Sequence, residues 1–196
     1  MNVVPAEVRR VMLALEQTDA RDRVDGTSRA ERLRAVTPEV GAFLCTLALA
    51  AGARSIVEIG TSGGYSTLWL AVAARRNGGR VATFEVDPAK VRIATGTFAQ
   101  AGVDDVVDLR HEDGILGLAR FDGEADLVFL DAEKELYEAA LEPIVRSLRP
   151  GGTLVADNLL SHAEDLEGFR SGALGHPSLS GLVVPIGRGE LVAVRV

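Results

Sequence analysis

Residues 56–65 read Ile56-Val57-Glu58-Ile59-Gly60-Thr61-Ser62-Gly63-Gly64-Tyr65. A β-branched apolar run passes through a glycine-rich turn into the start of a helix, the opening of a βα unit. Glycines let a backbone approach a ligand closely, and a helix N-terminus offers free N–H groups. A dinucleotide fingerprint requires G-x-G-x-x-G. The spacing of Gly60, Gly63 and Gly64 does not meet it. Glu58 would repel a pyrophosphate but attract the ammonium of an amino-acid ligand.

Outward from this turn, short β-branched runs alternate with stretches of helical period, the pattern of an α/β fold with a parallel sheet. Strands are expected near residues 55–58, 80–85, 106–110, 126–130 and 152–156. Thr37-Pro38-Glu39 reads as an N-cap, a proline at the first helical position and an acid in the first turn. Asp87-Pro88 repeats this, and Gly102 is placed to end that helix. Pro143 is expected to kink the helix that follows Asp131. Residues 182–186 and 191–194 read as two strands around the turn Gly187-Arg188-Gly189. A hairpin cannot continue a right-handed parallel crossover, so the sheet should finish antiparallel. Ahead of Ser55, residues 5–17 and 29–51 look helical, joined by a charged link over 18–26. The chain reads as one domain over 1–196, with a helical cap region (1–52) before a core (53–196).

Bulk composition narrows the function classes. With 196 residues and 47% hydrophobic content the chain can bury a full core. A net charge of −7 lacks the basic balance of a nucleic-acid-binding protein. Cys45 is the single cysteine, which excludes an internal disulfide, and its apolar surroundings make it a buried, inert thiol. The apolar segment 40–53 is too short to span a bilayer. Residues 1–7 show neither a basic head nor an apolar core of a leader, so a cytoplasmic location is expected, with no membrane partner.

Two further strands end on acids. Leu127-Val128-Phe129-Leu130 stops at Asp131, with Lys134 three residues on, and Thr153-Leu154-Val155-Ala156 stops at Asp157-Asn158. In an open α/β sheet, ligands bind beyond the carboxyl ends of the strands. Hard oxygen donors converging there suit a Mg²⁺- or Ca²⁺-type ion, with the lysine as a proton acceptor beside it. A wet i,i+4 pair of Lys134 with Glu138 is the simpler alternative. Glu85, closing Ala82-Thr83-Phe84-Glu85, is placed to accept hydrogen bonds from ribose hydroxyls. Asp113, after the third strand, could meet an adenine amino group or simply cap a helix. His162, four residues beyond Asn158, is within reach of a substrate or a metal, and a loop role explains it equally well. His176 offers no clearer reading.

These residues resemble the class I S-adenosylmethionine-dependent methyltransferases, and within them the cation-dependent O-methyltransferases typified by catechol and caffeoyl-CoA O-methyltransferases. The resemblance runs from about Arg34 to the C-terminus. It is strongest in residues 57–67, in Asp131-Ala132-Glu133-Lys134-Glu135-Leu136-Tyr137, in Asp157-Asn158 and in Pro185-Ile186-Gly187-Arg188-Gly189. It implies a Rossmann-like, doubly wound, mostly parallel seven-stranded sheet with an antiparallel C-terminal strand and N-terminal helices. By the same resemblance, Glu58, Gly60, Thr61, Ser62, Gly64 and Ser66 hold the methionine portion of S-adenosyl-L-methionine. Glu85 holds its ribose, Asp113 lies by its adenine, and Val36 and Thr37 line it from the N-terminal side, with Asp131 also adjoining. Asp131, Asp157 and Asn158 become ligands of a divalent cation, Mg²⁺ ahead of Ca²⁺ or Mn²⁺, and Lys134 the catalytic base. The acceptor is expected to be a small catechol-like or phenolic hydroxyl compound, and the assembly a homodimer. Many relatives carry a tryptophan and a glycine after the Asp-Asn pair, where this chain has Leu159-Leu160-Ser161-His162. The alternatives are a methyltransferase of this fold with another acceptor and no functional metal, or a nucleotide-dependent oxidoreductase.

Overall fold

The computed structural model describes residues 3–196; the leaderless reading of residues 1–7 therefore falls partly outside the described residues. Two helices lead, α1 (Ala6–Asp22) and α2 (Pro38–Ala50). Then come β1 (Ser55–Ile59), α3 (Tyr65–Asn77), β2 (Arg80–Glu85), α4 (Pro88–Ala101), β3 (Val107–His111) and the short α5 (Gly114–Gly117). The second half runs through β4 (Ala125–Leu130), α6 (Tyr137–Ser147), β5 (Leu148–Ala156), α7 (Glu167–Gly175), β6 (Leu179–Val184) and β7 (Glu190–Arg195). The seven strands form one sheet in the order β3-β2-β1-β4-β5-β7-β6. β1 to β5 are mutually parallel, β7 lies antiparallel to β5, and β6 antiparallel to β7. The antiparallel finish is the one expected from the C-terminal turn.

The central strands are buried on both faces, which is why they read as unbroken apolar runs rather than as alternating ones. Ile56, Val81, Leu127, Phe129 and Val155 face a core shared with α1, α2, α3 and α4. Val57, Phe84, Val128, Leu130 and Leu154 face the opposite core, shared with α6 and α7. Helix starts follow their caps. Thr37 accepts from Val40 N at 3.4 Å, and Asp87 from Ala89 N at 2.7 Å. Gly102, at φ 60°, ends α4 in the left-handed conformation that glycine adopts without strain. Helix α6 runs on through Pro143.

Two expected elements are corrected. Helix α1 continues to Asp22, into the stretch 18–26 expected as a link, because its buried face of Val8, Val11, Met12 and Leu15 runs on to Asp19. Residues 29–36 are not helical; α2 begins only at Pro38, and residues 23–36 form a strap between α1 and α2. The residue before a proline is pushed out of helical geometry, which separates Thr37 from α2. The strap has its own tertiary partners. Ala35 N donates to Asp19 Oδ1 at 3.1 Å, and Ser62 Oγ donates to the Leu33 carbonyl. Arg34, at φ 52°, cannot belong to a right-handed helix.

Candidate active site

A cavity of about 350 Å³ opens at the carboxyl ends of β1, β2 and β4, with the strap along one side. The sheet order reverses there: β1 continues to β2 on one flank and pairs β4 on the other. That is where an open α/β sheet leaves a crevice.

The glycine turn forms its floor. Gly60, at φ 104°, lies so close to Asp131 that a Cβ would collide with the Asp131 carbonyl. A glycine is therefore required for the turn after β1 to pass the end of β4. Gly60, Thr61, Ser62 and Ser66 all line the cavity, together with Val36, Glu85, Asp113 and Asp131. Gly64, at φ 87°, is the left-handed residue before α3. Thr37 does not line the cavity; it caps α2.

Glu85 is nearly buried, and both its oxygens are held by backbone. One accepts from Val86 N and Asp87 N, each at 2.9 Å, and the other from Ser62 N at 2.8 Å. Its orientation toward the cavity is thus set before any ligand arrives. Asp113 does both things considered for it: its carboxylate accepts from Ile115 N at 2.8 Å as the cap of α5, and it lines the cavity.

Glu58 stands behind the cavity wall rather than in it, fully buried. One oxygen accepts from Thr83 Oγ1 at 2.6 Å and from Thr67 Oγ1, while the other, Oε1, has no partner. Burial pushes its carboxyl up to about 7, against the hydroxyls of Ser66, Thr67 and Thr83, which favour the charged form. The Ser66 hydroxyl, which lines the cavity, stands between this carboxylate and the space a ligand would occupy.

The second half of the site is built by β4 and β5. Lys134 opens a short 3₁₀ turn ahead of α6, and its side chain is only 9% exposed. Its Nζ lies 3.3 Å from Asp131 Oδ1, 3.0 Å from the Ala132 carbonyl and 3.0 Å from the Tyr137 hydroxyl. The solvated pair with Glu138 is not formed. Asn158 Nδ2 donates to Asp131 Oδ1 at 3.0 Å, tying the end of β5 to the end of β4. Asn158 holds a left-handed φ of 75°, which asparagine tolerates and most residues do not. Asp157 is buried behind Asn158, and its Oδ1 accepts from Asn158 N at 2.6 Å. Burial and the neighbouring Asp157 raise the Asp131 carboxyl to about 6, opposed by Lys134.

Among the described residues no three His, Cys, Asp or Glu side chains form a metal-ligand group. Asp131, Asp157 and the Asn158 amide nevertheless adjoin one another as a hard-oxygen set that fits Mg²⁺ or Ca²⁺. The amide must turn its oxygen toward Asp131 for this. His162 lines the cavity and meets Ser161 Oγ at 2.9 Å through Nδ1. His176 lies elsewhere, paired with Glu142 at 3.1 Å.

Sequence reasoning passed over two parts of this site. The strap brings Arg34 to the cavity mouth, where it pairs with Glu133. Glu190, the first residue of β7, is wholly buried, and neither of its oxygens has a hydrogen-bond partner. Burial and the adjacent Asp157 carboxyl push it up to about 10. An acid opening an otherwise apolar strand is the signal that could have marked it.

Fold and crevice together define a Rossmann-like methyltransferase domain. The sequence pattern of the O-methyltransferase family matches residues 20–169. A protein of Mycolicibacterium vanbaalenii described as a putative O-methyltransferase is 35% identical over 177 residues, covering 82% of this chain and 77% of that protein. A catechol O-methyltransferase of Mycobacterium tuberculosis is 41% identical over 127 residues, covering 64% of this chain and 57% of the relative. Among solved structures, an O-methyltransferase from Bacillus cereus in complex with S-adenosylhomocysteine superposes with a TM-score of 0.79 at 28% identity, over 95% of this chain and 91% of that one. The chain belongs to the O-methyltransferase family. Membership decides against the oxidoreductase alternative.

Proposed function

We propose that this enzyme transfers a methyl group from S-adenosylmethionine to a hydroxyl of a small catechol-like or phenolic acceptor, with a divalent cation at the ends of β4 and β5. The observation that carries this reading is the burial of Lys134 with its amine on Asp131, beside Asn158, in the wall of the same cavity that the glycine turn and Glu85 line.

The sulfonium cofactor supplies an electrophilic methyl group when bound. Glu85, in the cavity wall, is suited to the ribose hydroxyls, and Glu58, behind Ser66, to the ammonium of the methionine portion through its field. A cation held by Asp131, Asp157 and Asn158 would acidify and position an acceptor hydroxyl. Lys134 Nζ takes the proton; the acceptor oxygen forms its bond to the methyl carbon as the carbon–sulfur bond breaks and its electron pair returns to sulfur. Tyr137, with its hydroxyl on Lys134 Nζ, holds the amine toward Asp131. Such positioning is worth several kcal/mol when reacting atoms are aligned. Mg²⁺ suits the hard donors best, with Mn²⁺ and Ca²⁺ as substitutes.

Incubation with S-adenosylmethionine and a panel of vicinal diphenols, read by mass spectrometry, tests the reading. A mono-methyl ether from at least one diphenol is expected. Cofactor binding without methylation of any diphenol or simple phenol would overturn the acceptor class.

A further inference from the structure

The ends of three neighbouring strands carry carboxylates at one level. Leu130 pairs with Ala156 across β4 and β5, so Asp131 and Asp157 are the next residues beyond that pair. Ala156 pairs with Leu191 across β5 and β7, so Asp157 and Glu190 are likewise the next pair outward. Residues directly opposite in an antiparallel pair project to the same face, with Cβ atoms roughly 5 Å apart. Asp131, Asp157 and Glu190 therefore form a row across β4, β5 and β7. Glu190 is fully buried, and neither of its oxygens finds a donor. The charged groups near it are Asp157, Asp131 and Lys134.

A buried carboxylate without donors is costly unless a charge compensates it. Three carboxyl groups meet at one level beside Lys134, and a divalent cation would compensate their ionised forms. Nothing in the mechanism above uses Glu190. An apolar residue there would continue the run Leu191-Val192-Ala193-Val194 at no electrostatic cost.

We propose that Glu190 is a positioning residue of the cation seat, a third carboxylate that acts through Asp157 to tighten the hold on a divalent ion. This rests on the cation reading given above. Glu190 does not line the cavity; it orients Asp157 from behind and, when ionised, adds to the negative field at the seat. Groups that support a metal's direct ligands typically contribute about 10- to 100-fold to its affinity.

The test is calorimetric titration of the full-length protein with MnCl₂, repeated with MgCl₂, for the wild type and for Glu190→Gln and Glu190→Leu. Both variants should bind Mn²⁺ about tenfold or more weakly. Affinity for S-adenosylhomocysteine in chelator should be unchanged. Metal-free Glu190→Leu should melt higher than the wild type, and added Mn²⁺ should raise its melting temperature less. The nearly isosteric Glu190→Gln keeps the comparison decisive if the leucine variant folds poorly. If the wild type binds Mn²⁺ and both variants bind it equally well, the role of Glu190 is refuted while the cation seat stands. Failure of the wild type to bind either ion overturns both.

Discussion

Lys134 Nζ lies 3.3 Å from Asp131 Oδ1, so the proposed base and the proposed cation ligand are in contact before any ligand is present. The Tyr137 hydroxyl accepts a further hydrogen bond from the same amine at 3.0 Å. Replacing Lys134 by methionine keeps the stem and removes the amine. Turnover should fall about 10²- to 10⁴-fold, the range of a lost proton acceptor. Affinity for S-adenosylhomocysteine, measured by calorimetry, should stay within a few-fold. A raised KM with turnover intact would mean that Lys134 positions the acceptor instead.

Glu58 gives the cofactor half a pH dependence. Its carboxyl is raised from 4.5 to about 7 by burial, so the ligand-free protein retains a proton there that an unfolded chain would release. The folded state binds more protons across that interval. Stability of the ligand-free protein should accordingly be highest below the ordinary glutamate range and decline as pH rises toward 7. An ammonium ligand requires the ionised form, so S-adenosylhomocysteine should bind more tightly as pH rises through about 7. Titrations between pH 6 and pH 8 should show this slope in the wild type, and Glu58→Gln should flatten and weaken it.

Gly60 passes the Asp131 backbone at a φ of 104°, with no room for a side chain. Gly60→Ala combines a strained dihedral with a backbone collision. Urea denaturation should show a loss of about 3 kcal/mol. Wild-type stability in this variant would contradict the close approach of β1 and β4.

Asp19 reaches from α1 to the strap, accepting from Ala35 N at 3.1 Å and pairing with Arg23 at 2.8 Å. Asp19→Ala leaves the Ala35 N–H without its acceptor, at a cost of about 1 to 2 kcal/mol. Because the strap also meets Ser62 and Glu133, S-adenosylhomocysteine should bind more weakly and limited proteolysis should cut earlier within residues 23–36. Asp19→Asn retains an acceptor oxygen and should recover much of both.

What the sequence disclosed depended on how local its cause was. β2 ends at the residues expected of it, because a glycine pair precedes it and the Asp87-Pro88 cap follows it. The glycine turn, Glu85, Asp131 and Lys134 stood out through their places at strand ends, and the sheet gathers them at one crevice. The strap was misread because its Ala, Arg, Leu and Glu residues favour helix, whereas its structure comes from Asp19, Ser62 and Glu133, distant in sequence. Glu190 was silent for the same reason: its neighbour Asp157 is set by strand register, not by spacing along the chain. Glu58 reads from the sequence as an acid in the turn, whereas it belongs to β1 and stands behind the cavity wall, held by Thr67 and Thr83.

Methyl transfer from S-adenosylmethionine to a catechol should be followed after exhaustive treatment with EDTA and then after addition of Mg²⁺. If Asp131, Asp157 and Asn158 seat an ion that activates the acceptor, the methyl ether should cease to form in chelator and reappear with Mg²⁺. Undiminished turnover in EDTA would contradict the cation site and leave Lys134 to activate the hydroxyl alone.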